Sequence, residues 1–233
     1  FDSCVFDSTY LNFRDPGNPC VKRSLFKKLG IVVQNYSNPN ILDNTFLGNY
    51  LDYSLTSSFV RGGSAILTAG NTPYHGLFKG NIVKKYKYGL QGGISYMVIT
   101  NNVFDACDTG LNCQYTYNVI LNNIFHKNRV YGAIVSGNRD YSLSLRNNCF
   151  DSNNVLLDGF SFKNKAGVVD RTNANGFPCD TFQNFFAKNV FFDDTLYKID
   201  PAVPCAGAGC RSAAIESYCQ NTVYPYGNHL YDS

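Results

Sequence analysis

The chain has 233 residues, of which 44% are hydrophobic and only 16% are charged, and its formal net charge is +3. This length suits one domain with its own core, and the small, scattered charge argues against nucleic acid as a partner, which would require a concentrated basic face. No run approaches the roughly 18 apolar residues that span a bilayer, so we expect no membrane segment in this chain.

The N-terminal residues 1–39 are the least regular part of the sequence, and we expect them to form a cap or lead-in. The turn formers Asp15-Pro16-Gly17-Asn18-Pro19 interrupt this region, and the stretch from Lys22 to Leu29 is a candidate for a short helix that covers one end of the domain. Asn35-Tyr36-Ser37 matches the acceptor pattern for N-glycosylation, which is consistent with a glycoprotein.

Residues 40–200 carry an internal repeat, which takes precedence over local secondary-structure signals. The second residue of a four-residue signature is Asn and the fourth is aromatic or apolar, in the copies that begin at Gly80, Asn101, Asn122, Asn147 and Lys188. The Asn recurs at 81, 102 and 123 with a spacing of 21 and at 148 after 25 residues. The step of 41 to Asn189 predicts two coils with a degenerate signature between them. Two stretches upstream, at 43–46 and 57–60, resemble the unit, but their separation of 13 allows only one to be in register.

The repeat predicts a coiled architecture. Apolar runs of strand length precede the signatures, and a Gly or small residue with an apolar neighbour follows six or seven residues later, as in Gly89-Leu90 and Gly110-Leu111. The strands are too short to alternate with helices, and hairpin turn residues are missing between them. We therefore predict an all-β, right-handed parallel β-helix with coils of about 21 residues.

The fold prediction assigns two stacked rows of side chains. We expect each Asn to lie at a bend, where its amide bonds the backbone of the next coil and its own backbone tolerates the left-handed conformation. The Asn ladder comprises Asn81, Asn102, Asn123, Asn148 and Asn189. The core stack comprises Val83, Phe104, Phe125, Phe150 and Phe191.

The nine cysteines predict disulfides and an oxidising compartment, which places the protein outside the cell or at its surface. Zinc-binding spacing is absent from the sequence, and we expect no cofactor, although exposed carboxylates leave calcium as a candidate. The nearest cysteines in sequence, and thus the candidates for pairing, are Cys107 with Cys113 and Cys205 with Cys210. Residues 201–233 form a Cys-rich C-terminal segment.

The repeat resembles that of pectate-lyase-like parallel β-helix proteins over residues 40 to 195. The phrases Ser58-Phe59-Val60-Arg61-Gly62-Gly63-Ser64-Ala65-Ile66 and Gly80-Asn81-Ile82-Val83 are most similar to the version found in fibrocystin-like and cell-surface hyaluronidase-like proteins. This resemblance implies a segment of a larger extracellular or cell-surface protein and does not supply a function.

One column of polar residues could carry chemistry. The residues that follow the core stack are Lys84, Asp105, His126 and Asp151, and side-chain alternation predicts that they form a column on the outer, exposed surface. Paired carboxylates beside a base could serve a polysaccharide lyase or glycoside hydrolase, whereas alternating charges could equally serve only to set the coil register. The tyrosines Tyr86, Tyr88, Tyr115 and Tyr131 could stack on sugar rings from an outer face.

We expect a non-catalytic structural or adhesive element of an extracellular or fibrous assembly. Its partners would be other protein subunits or further domains of the same polypeptide, with glycans as additional candidates. The alternatives are a carbohydrate-active β-helix enzyme and a glycan-binding module.

Overall fold

A computed structural model of the chain describes residues 1–14, 16–34, 37–49, 63–68, 75–92, 96–114, 118–136, 145–158, 167–172, 178–187, 191–193 and 198–199. These residues form β-strands joined by turns and bends, and no helix occurs among them. Most strands pair in parallel with the strand one coil away, so the predicted all-β parallel solenoid is confirmed.

The coils build three parallel sheets, which the chain visits in the order sheet 1, sheet 2, sheet 3. The parallel strands of sheet 1 are β1 (Val5–Asp7), β4 (Leu25–Lys27), β7 (Thr45–Leu47), β10 (Ile82–Lys84), β13 (Val103–Asp105), β16 (Ile124–His126), β19 (Cys149–Asp151) and β23 (Phe185–Ala187). Sheet 2 contains β2 (Leu11–Phe13), β5 (Ile31–Val33), β8 (Ser64–Thr68), β11 (Tyr88–Gly92), β14 (Thr109–Gln114), β17 (Tyr131–Ser136) and β20 (Val155–Asp158). Sheet 3 contains β3 (Cys20–Lys22), β6 (Asn40–Leu42), β9 (His75–Lys79), β12 (Tyr96–Thr100), β15 (Val119–Leu121) and β18 (Leu145–Arg146).

The register of sheet 1 places the predicted core residues in one column. Val83 pairs with Phe104, Phe104 with Phe125, and Phe125 with Phe150 in successive strands. All four side chains are fully buried. The phenyl rings of Phe104, Phe125 and Phe150 stack with centroid separations of 5.1 and 4.9 Å, close to the spacing of neighbouring parallel strands.

Most sheet 1 strands lie between two residues in the left-handed conformation. In the middle coils these residues are Asn101 and Ala106 around β13, and Asn122 and Lys127 around β16, with φ between 50° and 57°. The left-handed residue is thus the first Asn of each signature, and the prediction that the second Asn adopts this conformation is wrong. The second Asn instead points inward and bonds the backbone of the preceding coil.

The N-terminal region is part of the repeat. Strands β1, β4 and β7 pair in register, with Phe6, Phe26 and Phe46 in one column at a spacing of 20 residues. The coils therefore begin near Val5 and not at residue 40, and the prediction of a lead-in over 1–39 is wrong. The predicted helix from Lys22 to Leu29 is also wrong, because that stretch contains the end of β3 and all of β4.

The C-terminal end of sheet 1 departs from the parallel pattern. After β19 the next coil is β23, whose Phe186 pairs with Phe150. Two further strands, β21 (Arg171–Thr172) and β22 (Pro178–Cys179), extend the sheet in antiparallel pairing. Strand β24 (Phe191–Asp193) pairs antiparallel with β25 (Lys198–Ile199) in a separate two-stranded sheet.

This arrangement corrects two predicted positions. Phe191 is not the next member of the core stack, because it lies in β24, and Phe186 takes that place. Asn189 lies outside the described residues, and Asn184 is the residue that continues the Asn ladder. Upstream, the copy at 43–46 is in register through β7, whereas the copy at 57–60 lies outside the described residues.

In the part of the chain that the structure describes, no helix is long and apolar enough to cross a membrane.

Candidate functional site on the outer face of sheet 1

The predicted polar column lies on the outer face of sheet 1. In each three-residue strand the middle side chain points into the core, so the flanking side chains point away from it. Lys84, Asp105, His126 and Asp151 are the third residues of β10, β13, β16 and β19, and they are register partners in successive coils. We call these four residues the ionic row.

Neighbouring members of the ionic row contact each other through their charged or titratable atoms. Lys84 Nζ lies 3.0 Å from Asp105 Oδ2, and Asp105 Oδ1 lies 2.9 Å from His126 Nδ1. On the other side of the imidazole ring, His126 Nε2 lies 3.6 Å from Asp151 Oδ2. Ser152 Oγ donates a hydrogen bond of 2.6 Å to Asp151 Oδ1. Both ring nitrogens of His126 therefore face carboxylates of neighbouring coils.

The ionic row is buried, and this contradicts the prediction of an exposed column. The side chains of Asp105, His126 and Asp151 are 5%, 3% and 0% exposed, and only Lys84, at 29%, reaches solvent to a substantial extent. The prediction placed the row on the correct face of the sheet, but sequence alternation does not reveal whether further chain covers that face.

The geometry of the ionic row limits what it can do as a catalyst. A general acid or base must lie within hydrogen-bonding reach of the proton that it transfers. The imidazole of His126 directs one nitrogen toward Asp105 and the other toward Asp151, and all three side chains lie out of solvent. As it stands in this structure, the row is arranged to pair its own members across coils and not to present a reactive group to a polysaccharide.

The second structural device of the coils is the Asn ladder inside the bend that precedes sheet 1. The backbone N–H of Asn81 donates to Asn102 Oδ1 at 2.9 Å, and that of Asn102 donates to Asn123 Oδ1 at 3.0 Å. The same relation links Asn123 to Asn148 and Asn148 to Asn184, and all of these side chains are buried. At its C-terminal end the ladder meets Asp180, whose Oδ1 accepts a hydrogen bond from Asn184 N at 2.9 Å.

A second ladder runs along the opposite end of the sheet 1 strands and was not predicted. The backbone N–H of Cys107 donates to Asn128 Oδ1, and that of Asn128 donates to Asn153 Oδ1, each at 3.0 Å. The sequence contains a signal for this ladder, because Asn128 and Asn153 each follow a first-ladder Asn by five residues.

Comparisons with known proteins add no family. No protein-family model matches the sequence, and neither the curated proteins nor the solved structures contain a match. The functional interpretation therefore depends on the residues themselves.

The described cysteines do not form the predicted pair. Cys107 and Cys113 are free, buried thiols, as is Cys179, while Cys4 and Cys20 are free and lie nearer the surface. Cys107 directs its Sγ to the carbonyls of Val83 and Asp105, and Cys113 Sγ accepts a hydrogen bond from Asn118 Nδ2 at 3.3 Å. Among the described residues, five of the nine cysteines of the chain are free thiols. Cys149 is disulfide-bonded, and Cys205 and Cys210 lie outside the described residues.

Burial makes two of these thiols chemically inert. Desolvation raises the pKa of Cys107 to about 12, and it raises the pKa of Cys113 to about 12 as well. The thiolate is the nucleophile and the metal ligand, so neither side chain suits catalysis at neutral pH. Among the described residues, no group of three or more His, Cys, Asp or Glu side chains could hold a metal ion.

An open groove of about 730 Å³ lies on the outer face of sheet 1 at its N-terminal end. Its lining includes Cys4, Arg23 and Asp43. Arg23 pairs with Asp2, and the hydrogen bond from its guanidinium lowers the pKa of Asp2 to about 2. The lining of the groove ends at Thr45 in β7, one coil before Lys84 in β10, and no member of the ionic row belongs to it.

Three of the four tyrosines predicted to face glycans lie among the described residues, and none of the three is exposed. Tyr86 is buried, and its hydroxyl donates a hydrogen bond of 3.1 Å to the carbonyl of Leu29, so it cannot stack on a sugar. Tyr88 and Tyr131 are half-buried in sheet 2. Tyr115 and the glycosylation acceptor Asn35 lie outside the described residues.

Proposed function

We propose that this chain is a non-catalytic structural or adhesive element of an extracellular or cell-surface assembly. In this proposal the solenoid supplies a rigid, stackable body, and its partners are other protein subunits or further coils of the same polypeptide. A pectate-lyase-like β-helix of the fibrocystin-like type is the family proposed for it, on the basis of the repeat and the phrases around Ser64 and Asn81.

The observation that carries the proposal is the N-terminal edge of the solenoid. Strands β1, β2 and β3 are the first strands of sheets 1, 2 and 3, and among the described strands each has a neighbour on one side only. Phe6 is partly buried, and its ring stacks on that of Phe26 with a centroid separation of 4.6 Å and makes a T-shaped contact with that of Phe1. Val5 is 65% exposed at this edge. Unpaired strand edges with apolar side chains are templates for pairing with another chain.

Sedimentation of the purified chain over a range of concentrations tests the proposal. Whatever the natural partner, the open edge predicts that the chain self-associates as its concentration rises. Val5→Lys should weaken this association, because a lysine on an edge strand opposes strand pairing. Val130→Lys is the matched control, since Val130 is 40% exposed but lies at a bend away from the edge. A chain that remains monomeric at every concentration, or two variants that behave alike, would contradict the proposal.

A carbohydrate-active enzyme is the second candidate, and the ionic row is the observation that favours it. Two carboxylates and an imidazole in one row are the residue types that glycan cleavage uses. We expect no turnover of pectin, hyaluronan or alginate, with calcium present, because the row is buried and its members contact each other. Turnover that Asp105→Asn or His126→Ala abolished without unfolding the chain would make the row an active site and overturn the structural assignment.

A further inference from the structure

The outer face of sheet 1 changes from exposed to buried along the solenoid. Near the N-terminus, outward-pointing Val5 and Leu47 are 65% and 37% exposed. In β13 and β16 the outward-pointing Val103 and Ile124 are 1% and 0% exposed. Since the residues that flank an inward side chain point away from the core, a bare sheet face would leave these apolar side chains in water. A further layer of polypeptide must therefore lie against β13, β16 and β19.

Cys149 identifies where this layer comes from. It is the outward-pointing first residue of β19, in register with Ile124, and it is disulfide-bonded. Its partner is none of the five free cysteines, which are Cys4, Cys20, Cys107, Cys113 and Cys179. The sequence contains nine cysteines, so the remaining three are Cys205, Cys210 and Cys219, and all of them belong to residues 201–233.

We propose that the outer face of β13, β16 and β19 is the docking surface for the C-terminal segment, residues 201–233, and that a disulfide from Cys149 anchors the segment there. The inference is independent of the proposed function. It also accounts for the burial of the ionic row, since Asp105, His126 and Asp151 belong to the same strands as Val103, Ile124 and Cys149.

The position of Arg211 and the apolar residues of the segment suit this surface. The one Lys or Arg of residues 201–233 is Arg211, directly after Cys210, while the carboxylates of the segment, Glu216 and Asp232, lie further from it in sequence; the covered face contains the carboxylates of Asp105 and Asp151. Asp151 is separated from Cys149 by one residue and points to the same side of the strand. A disulfide between Cys149 and Cys210 would bring a guanidinium next to this carboxylate. The alanines, tyrosines and Ile215 of the segment can cover Val103 and Ile124.

Peptide mapping of the full chain without reduction tests the anchor. The expected result is a crosslinked pair that joins the Cys149 peptide to a peptide from residues 201–233, in a chain that migrates as a monomer on a non-reducing gel. A free Cys149, a link to any of the five cysteines that are free in the structure, or a link between two molecules would overturn the proposal.

Chemical labelling of the full chain tests the cover itself. His126 should resist diethyl pyrocarbonate in the wild-type chain, and Cys149→Ser should raise its modification rate severalfold and release one thiol in residues 201–233 to iodoacetamide. Cys179→Ser, which removes a buried free thiol, is the matched control and should change neither rate.

Gentle reduction of the wild-type chain before labelling breaks the disulfide without a mutation. This experiment replaces the variant if Cys149→Ser does not fold. A His126 that reacts rapidly in the oxidised wild-type chain would show that nothing covers the row. A His126 that stays protected after the disulfide is broken would show that the segment is not anchored through Cys149. Either result would overturn the proposal.

Discussion

The side chain of Asn123 shows why asparagine recurs at each bend. Its Oδ1 accepts hydrogen bonds from the backbone N–H and the side-chain amide of Asn102. Its Nδ2 donates to the carbonyls of Ile99 and Leu121 and to Asn148 Oδ1, at 2.9 to 3.0 Å. A buried polar group without partners is costly, and one amide here supplies an acceptor and donors to three coils at once. Aspartate lacks the donors, and leucine lacks both.

We predict that Asn123→Ala destabilises the chain by about 2 to 4 kcal/mol, because it leaves the N–H of Asn102 and the carbonyl of Ile99 buried without these partners. Equilibrium unfolding in urea measures the loss. Asn154→Ala is the control, since Asn154 is exposed, and it should change the free energy of unfolding by less than about 0.5 kcal/mol. Equal losses in the two variants would show that the ladder does not stabilise the fold.

The recurrence of glycine in sheet 2 is also explained by local contacts. A Cβ atom on Gly110 would lie 2.6 Å from the carbonyl oxygen of Gly132 and 2.9 Å from Cδ1 of Phe125. Gly89 and Gly132 have the same relation to Phe104 and Phe150. The periodic glycine was visible in the sequence, but its reason, which is contact with the ring of the core stack one corner away, required the structure.

We predict that Gly110→Ala destabilises the chain by about 1 to 3 kcal/mol through overpacking against Phe125. Gly17→Ala is the control, because a Cβ at Gly17 would meet no atom within 4 Å. Thermal unfolding of the two variants distinguishes them. If Gly110→Ala left the stability unchanged, the backbone at this corner would be able to move away from Phe125 without loss of stability.

At the scale of the strand, the sequence predicts the repeat in the coils that have asparagine at the ladder position. The prediction failed in the coils where other residues occupy that position. In the first coils Cys4 and Ser24 occupy the ladder position, and the Oγ of Ser24 accepts the hydrogen bond from Cys4 N at 3.1 Å. A hydroxyl performs the same task as an amide oxygen, so the coil forms although the signature is lost.

The opposite problem arises near the C-terminal end. Asn184 and Asn189 are five residues apart, which is also the offset between the two ladders, and both are followed two residues later by Phe. The spacing alone therefore could not decide whether Asn184 or Asn189 continues the Asn ladder. The burial of the ionic row was beyond sequence reasoning for a different reason, since alternation predicts the direction of a side chain but not the long-range contacts that cover it.

We predict that Phe125→Ala costs about 3 to 5 kcal/mol, because the ring is fully buried and its removal leaves a cavity between two stacked neighbours. Phe6→Ala should cost less, since Phe6 is only partly buried at the end of the column. Urea unfolding of both variants measures the two losses in the free energy of unfolding. A loss below about 1 kcal/mol for Phe125→Ala would contradict its place in the core.

At the scale of the whole molecule, the two ends of the solenoid differ. Each coil contacts chiefly its neighbours, so stability is transmitted from coil to coil and the ends are the weakest positions. Among the described strands, β1, β2 and β3 of the N-terminal coil each pair on one side, whereas sheet 1 ends in antiparallel β22 and β21, and Asp180 accepts the last hydrogen bond of the Asn ladder. In the proposed assembly, the N-terminal edge is therefore the end at which a partner strand would pair.

The buried thiols make the stability of the whole chain sensitive to alkaline pH. Burial raises the pKa of Cys107 and that of Cys113 from 9.0 to about 12. The folded state thus retains both protons at pH values where the unfolded chain releases them. A raised folded-state pKa contributes stability that is complete below the unfolded value and is lost as the pH rises toward the folded value. The window of loss is therefore pH 9 to about 12.

We predict that the free energy of unfolding falls within this window by about 1.4 kcal/mol per pH unit for each buried thiol. The double variant Cys107→Ala/Cys113→Ala should lose this part of the slope, while Cys20→Ala, which removes an exposed thiol, should retain it. Urea unfolding at several pH values from about 8 to about 11 measures the three slopes. If the double variant and the wild-type chain lose stability in parallel over this range, the two thiols are not buried in the native coil stack.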